Sequence, residues 1–273
     1  MKSNAYISAL FAVALLPIVG CTHTSSDKDD LTPANKEFAN EQVLSSSNTN
    51  LAIPDNSKQN TYRVLLFGNS HIRGLKPLLD TLVKEGAPDK TLTIVETGAS
   101  MFLSDRLSHS GSMELLTKYQ WSHVVLQGQK YSQSGRYHYP TSGAQTWIKL
   151  SKQHSATPIL FPEHPQRGNR TEGQRIYQLH KDISQMQAAC IAPVGLVWDA
   201  IIKRYPEINL YSPDGNHANG TGRLLTSLVY YQVITGNSAD LLPAIESIQV
   251  SPHIQDIFGQ VVDEIIQQYP ACH

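Results

Sequence analysis

The stretch Thr61–Leu75, TYRVLLFGNSHIRGL, limits what this chain can fold into more than any other. Val64 to Gly68 are all apolar or small, which reads as a strand buried on both faces, the kind found inside parallel sheets. Gly68 and Asn69 then interrupt the run. From Ile72 the apolar period changes: Ile72, Leu75, Leu78, Leu79, Leu82 and Val83 share one helical face, and Pro77 suits a first helical turn. Ser70 therefore stands at a strand–turn–helix corner, at the carboxyl end of a core strand. In open α/β sheets, ligands bind at that edge. His71, next along, is expected to point away along the start of the helix.

The same alternation continues downstream. Leu92–Glu96, His123–Leu126, Pro158–Phe161 and Ile191–Val194 read as four further strands. Helices are expected near 113–119, 144–153 and 196–205. Another helix carries Ile176, Leu179, Ile183 and Met186 on one face, with Thr171 and Gln174 as a capping box. After the loop Pro206–Asn219, Thr221 can cap a helix that Gly236 ends. Ser251-Pro252 opens a last helix whose apolar face, Ile254 to Ile266, is expected to dock on the sheet. Strands alternating with helices in this way predict an α/β fold, a single-domain three-layer α/β/α sandwich around a five-stranded parallel sheet, flavodoxin-like in type.

A chain of 273 residues with 40% hydrophobic and 16% charged residues has enough apolar surface for one substantial core. Its formal net charge of −1 gives no footprint for nucleic acid, so no nucleic-acid partner is expected. At the amino end, Lys2 precedes an apolar run, Ala9–Val19, too short to span a bilayer and right for a signal peptide. The run closes on Ile18-Val19-Gly20-Cys21, which resembles the lipobox of bacterial lipoproteins. That resemblance implies residues 1–20 as signal peptide and Cys21 as the lipidated residue anchoring the chain to a membrane. The residues that follow Cys21, Thr22 and His23, favour the outer membrane, facing periplasm or cell surface. Residues 21–60, rich in Ser, Asn, Asp, Lys and Thr, read as a flexible tether, and residues 61–273 as the domain. Cys190 and Cys272 remain, in an oxidising compartment, either as one disulfide or as two unpaired thiols.

The polar residues cluster at strand ends: Gly68-Asn69-Ser70, Gly98, and Gln127-Gly128-Gln129. A further cluster, Ser212-Pro213-Asp214-Gly215-Asn216-His217, precedes the penultimate helix. A serine nucleophile needs a base within hydrogen-bond reach and a carboxylate to hold that base in one tautomer. Asp214 and His217, three apart in one short loop, can supply both. In this order the blocks GNSH, VVLQGQ and DGNHANGTGRLLTSLVYYQVITG resemble the SGNH (GDSL-like) hydrolases, over about Tyr62 to Gly236. The resemblance implies Ser70 as nucleophile, His217 as general base and Asp214 as its orienting partner. It also implies an oxyanion hole from the backbone N–H groups of Ser70 and Gly98 and a side-chain amide. That amide is Gln129, or Gln127, where the family has asparagine, and Asn69 replaces the aspartate of the usual Gly-Asp-Ser.

Asn69, Gln127, Tyr137, Tyr139 and His164 lie in stretches that follow strands on the same edge and are candidates for contacting substrate. Tyrosine faces suit sugar rings. No His/Cys/Asp spacing resembles a metal site, and neither metal nor cofactor is expected. The expected activity is a serine esterase of the cell envelope that removes a short acyl group, acetyl above all, from a small ester or an acylated glycan. An acyltransferase on the same residues, or a glycan-binding lipoprotein without catalysis, are the alternatives. The oligomeric state is not readable from the sequence.

Overall fold

Five parallel strands form the centre of the computed structural model, which describes residues 50–97 and 101–272. They are β1 (Thr61–Phe67), β2 (Thr91–Glu96), β3 (His123–Leu126), β4 (Thr157–Leu160) and β5 (Cys190–Ile191), in the spatial order β2-β1-β3-β4-β5. All four residues of β3 and of β4 are buried, as strands covered by helices on both faces must be. The order reverses between β1 and β3, so the crevice at their carboxyl ends is the switch point where such sheets bind ligands.

The helices are α1 (Leu75–Gly86), α2 (Leu103–Arg106), α3 (Ser110–Lys118), α4 (Ser142–Gln153), α5 (Glu172–Met186), α6 (Val194–Arg204), α7 (Gly220–Thr235) and α8 (Pro252–Gln268). Parallel crossovers are right-handed, so α1, on the way to β2, and α4 and α5, on the way to β4 and β5, cover opposite faces. α7 packs beside α1.

Several local expectations are corrected. The fifth strand ends at Ile191 rather than Val194, because Pro193 caps α6 and Val194 is already helical. Thr171 precedes α5 with helical backbone angles, and its hydroxyl turns to Asn169 Oδ1, so the capping box does not form. Asn219, not Thr221, caps α7 through a 3.0 Å bond accepted from the Gly222 N–H, while Gly236 closes it in the left-handed conformation at φ 73°. α8 docks chiefly on α6, α7 and the turn at 239–241 rather than on the sheet.

Residues 50–60, expected to belong to a flexible tether, make defined polar contacts with the strands and helices around them. Buried Asn56 donates to the Ser122 carbonyl at 2.8 Å and to Thr157 Oγ1 at 3.0 Å, clasping the amino ends of β3 and β4. Lys152 Nζ holds Asn50 and Leu51, each at 2.8 Å. These are polar contacts, invisible to a reading that weighs only apolar content. At the other terminus Cys190 and Cys272 form a disulfide with Cα atoms 4.2 Å apart, pinning the tail after α8 to β5.

Candidate active site

Ser70 leaves β1 through a short 3₁₀ turn, Ser70–Ile72, and α1 begins only at Leu75. Asn69 caps that turn: its Oδ1 accepts the His71 N–H at 3.0 Å. Gly68 is required by crowding, since a Cβ there would stand 2.5 Å from Gln127 Oε1. Beneath it Arg106, fully buried, donates from Nη2 to the Gly68 carbonyl at 2.6 Å and lies over the Phe67 ring.

The loop before α7 folds back on itself. Tyr211 pairs with Ala218 as an antiparallel bridge, and the Ser212 N–H donates to the His217 carbonyl at 2.8 Å. Gly215 takes the positive φ of 69° that the tight turn demands. This closure delivers Asp214 and His217 to Ser70. Asp214 Oδ2 accepts from His217 Nδ1 at 2.5 Å, and His217 Nε2 lies 2.8 Å from Ser70 Oγ. Asp214 Oδ1 also accepts the backbone N–H groups of His217 and Asn216, each at 3.0 Å. The His217 side-chain bond, with these two N–H groups, holds the Asp214 carboxyl well below the usual carboxylate range. An ionised Asp214 fixes the proton on Nδ1, leaving the Nε2 lone pair to accept from the Ser70 hydroxyl. Among the described residues, nothing accepts the Ser70 N–H.

Behind the serine runs a buried polar chain. The Asn69 N–H donates to Gln127 Oε1 at 2.6 Å, Gln127 Nε2 donates to Glu163 Oε1, and the Tyr131 hydroxyl donates to Glu163 Oε2 at 3.1 Å. Burial, and then the Glu163 charge, pushes the Tyr131 phenol far up, so it remains a donor. His71 completes the group, with Nε2 3.6 Å from Glu163 Oε2. Its ring stacks on His217 at 5.1 Å and 22°. The expectation that His71 points away fails because the residue sits in a 3₁₀ turn, which swings its side chain back beneath His217. Glu163 and His71 are the site residues that sequence reasoning undervalued. Their one signal was position: His71 directly after Ser70, and Glu163 three residues beyond the end of β4.

The expected donors and substrate contacts fare unevenly. Gln129 gives both amide protons to loop carbonyls, Lys130 at 2.8 Å and Pro140 at 3.1 Å, so it ties down its own loop instead of facing an oxyanion. Gln127 is fully buried and occupied in the chain described above, away from any substrate. His164 is likewise a structural residue, 3% exposed, stacked on Trp198 at 3.9 Å, with Nε2–H donating to the Asn216 carbonyl at 3.0 Å. Burial lowers its pKa to about 3, which keeps it a neutral prop under the loop that carries Asp214 and His217. Tyr137 and Tyr139 do line a cleft of about 480 Å³ next to the serine, together with Asn69 and His71. A smaller cleft of about 240 Å³ contains Ser70, His71, Asp214 and His217. Gly98 and Cys21 lie outside the described residues. Among the described residues there is no cluster of metal-ligating side chains, and no helix is long and apolar enough to cross a membrane.

The strand order defines a class, the doubly wound parallel α/β sandwich, and solved structures share the fold. A DUF4886 family protein from Bacteroides uniformis aligns with a TM-score of 0.58 over 78% of this chain and 97% of its own, at 13% identity. A Slackia heliotrinireducens protein classed with the SGNH hydrolases gives 0.49 over 63% and 98%, at 19% identity. A psychrotrophic esterase from Pseudoalteromonas sp. gives 0.47 over 65% and 98%, also at 19%. No family model and no curated protein sequence matches the chain. At such identities the likeness speaks for the fold, and the chemistry has to be argued from the residues.

Proposed function

We propose that this protein is a serine ester hydrolase of the bacterial cell envelope. The observation that carries the reading is the unbroken chain Ser70–His217–Asp214, with links of 2.8 and 2.5 Å, at the carboxyl edge of the sheet. In this reading Ser70 Oγ attacks the ester carbonyl as its proton passes to His217 Nε2. The tetrahedral oxyanion is held by the backbone N–H of Ser70, which no described residue accepts. The imidazolium then protonates the departing alcohol oxygen, leaving an acyl-serine. Water then attacks the acyl carbon as His217 takes its proton, and collapse breaks the bond to Ser70 Oγ, which regains that proton from His217 as the acid leaves. The 240 Å³ cleft around the triad suits a short acyl group such as acetyl. The tyrosine-lined cleft beside it suits a carbohydrate as the alcohol component. The lipobox-like ending at Cys21 supports anchoring at the outer membrane.

Hydrolysis of p-nitrophenyl acetate by the full chain, beside Ser70→Ala and His217→Ala, tests the mechanism. The reading requires activity in the parent and a loss of roughly 10³-fold or more in each variant. Equal rates in parent and variants refute it.

A further inference from the structure

The cleft beside the triad does not end at Tyr137 and Tyr139. It opens onto a second hollow of about 700 Å³ between the 130–140 loop and the start of α5, and the two share Lys130, Tyr131, Ser132, Tyr137 and Tyr139. Aromatic residues on this path face solvent: Phe102 is 38% exposed and Tyr137 69%. Grouped in one cleft rather than scattered, such rings form the kind of surface on which ligands dock.

The charges along the path are mostly positive. Lys130 Nζ lies 4.8 Å over the Tyr139 ring and 5.5 Å over Phe102, so it is held on the aromatic wall. Arg175 lines the far hollow, anchored by Nη2 to the Gln133 carbonyl at 2.5 Å. Arg170 stands beside it with no ion pair or hydrogen bond among the described residues. Against these three cations the far hollow carries one carboxylate, Asp182. Glu163, in the near cleft, is buried and already takes hydrogen bonds from Gln127 and Tyr131. Chain-wide charge is close to balanced, so this excess is local. A cleft with low-dielectric aromatic walls concentrates such a field on whatever lies in it.

We propose that the alcohol component of the substrate is an anionic glycan, a carboxylate-bearing sugar chain. Its rings lie along Tyr137, Tyr139 and Phe102, and its carboxylates meet Arg170 and Arg175. The assignment rests on the hydrolase reading of the same site and narrows its substrate. Tyrosine faces take the apolar side of a pyranose, and a guanidinium donates two parallel N–H bonds to a carboxylate, a fork that a neutral hydroxyl cannot match. The ester to be cut lies at the near end, by Ser70, and the sugar chain runs away from it across the hollow. Arg170 and Arg175 are thus specificity residues remote from the bond that breaks.

The test uses the full chain carrying Ser70→Ala, so that ligands persist. It is titrated calorimetrically with an acetylated oligouronate and with an acetylated neutral oligosaccharide of the same length. The uronate is expected to bind about tenfold tighter near 20 mM salt, with the gap closing to about twofold near 0.5 M as screening sets in. Adding Arg170→Gln and Arg175→Gln should erase most of the preference, and Tyr137→Ala should weaken both ligands. Inorganic tripolyphosphate, which has charge but no ring, should not displace the uronate. Equal affinity for the two glycans, binding of neither, a preference that survives loss of both arginines, or full displacement by tripolyphosphate each overturn the proposal. Hydrolysis of p-nitrophenyl acetate by the parent, which involves no sugar, reports on the hydrolase reading separately. Activity there without a uronate preference removes the glycan assignment alone.

Discussion

Replacing Gln127 by Leu probes whether the buried chain behind Ser70 holds the nucleophile corner in place. Gln127 is fully buried and serves two partners, accepting from the Asn69 N–H at 2.6 Å and donating to Glu163. Leucine has nearly the same volume, so little cavity term enters. Two polar costs remain. The Asn69 N–H loses its acceptor, which costs about 1–3 kcal/mol for a buried donor, and Glu163 loses a donor to a charged oxygen, about 1.5–3 kcal/mol. The two share one network and do not add fully, so the expected loss is about 3–4 kcal/mol. In a domain of this size that lowers Tm by roughly 6–16 °C. Urea unfolding of parent and variant with matched m-values gives the difference directly. Because Asn69 adjoins Ser70, kcat on p-nitrophenyl acetate should fall with little change in KM. A stability loss below about 1 kcal/mol would show that the chain is not dry and that Glu163 keeps its charge solvated without Gln127. A full stability loss with unchanged kcat would separate the network from the catalytic corner.

Three other outcomes follow from the same geometry. Asp214→Asn removes the carboxylate that keeps the proton on His217 Nδ1. The expected fall in kcat/KM is about 10²–10⁴-fold, towards the lower end because the pair is half-exposed, and a variant within threefold of the parent would refute the orienting role. Burial, and then Glu172, pushes the Asp199 carboxyl up to about 7, so the folded state holds a proton that the unfolded chain releases near pH 4. Stability is therefore fully present below pH about 4 and declines as pH rises to about 7, and Asp199→Asn should flatten that slope in denaturation measured across the window. Reducing Cys190–Cys272 opens a loop of 82 residues, for which chain entropy gives about 4.5 kcal/mol of destabilisation, read as a lower urea midpoint with kcat unchanged.

Much of this architecture was written locally. The buried run at Val64–Gly68 followed by a 3.6-residue period, repeated along the chain, dictates a parallel sheet, because a strand apolar on both faces must be covered on both. The strand–turn–helix corner at Ser70, the closeness of Asp214 to His217 and the glycine stop at Gly236 were equally legible, since each depends on residues within a few positions of one another. Where tertiary contacts compete, local rules gave way. Thr171 and Thr221 have the chemistry of caps, yet the backbone entering α5 and the better-placed Asn219 leave their hydroxyls without that work.

What only the folded structure decided concerns side chains whose partners lie far along the chain. Gln127, Gln129 and His164 look like site residues from their position after strands, but which way each amide or ring turns depends on distant partners. For Gln127 these are Asn69, 58 residues away, and Glu163, 36 away; for His164 it is the Asn216 carbonyl, 52 away. The same holds for His71, whose stacking on His217 arises only once the loop before α7 has folded back onto β1. Sequence determines period, turn chemistry and the inventory of reactive groups, because these are properties of neighbours. Which polar groups are consumed in the interior and which stay free for a substrate is settled by desolvation, and that requires every partner to be in place.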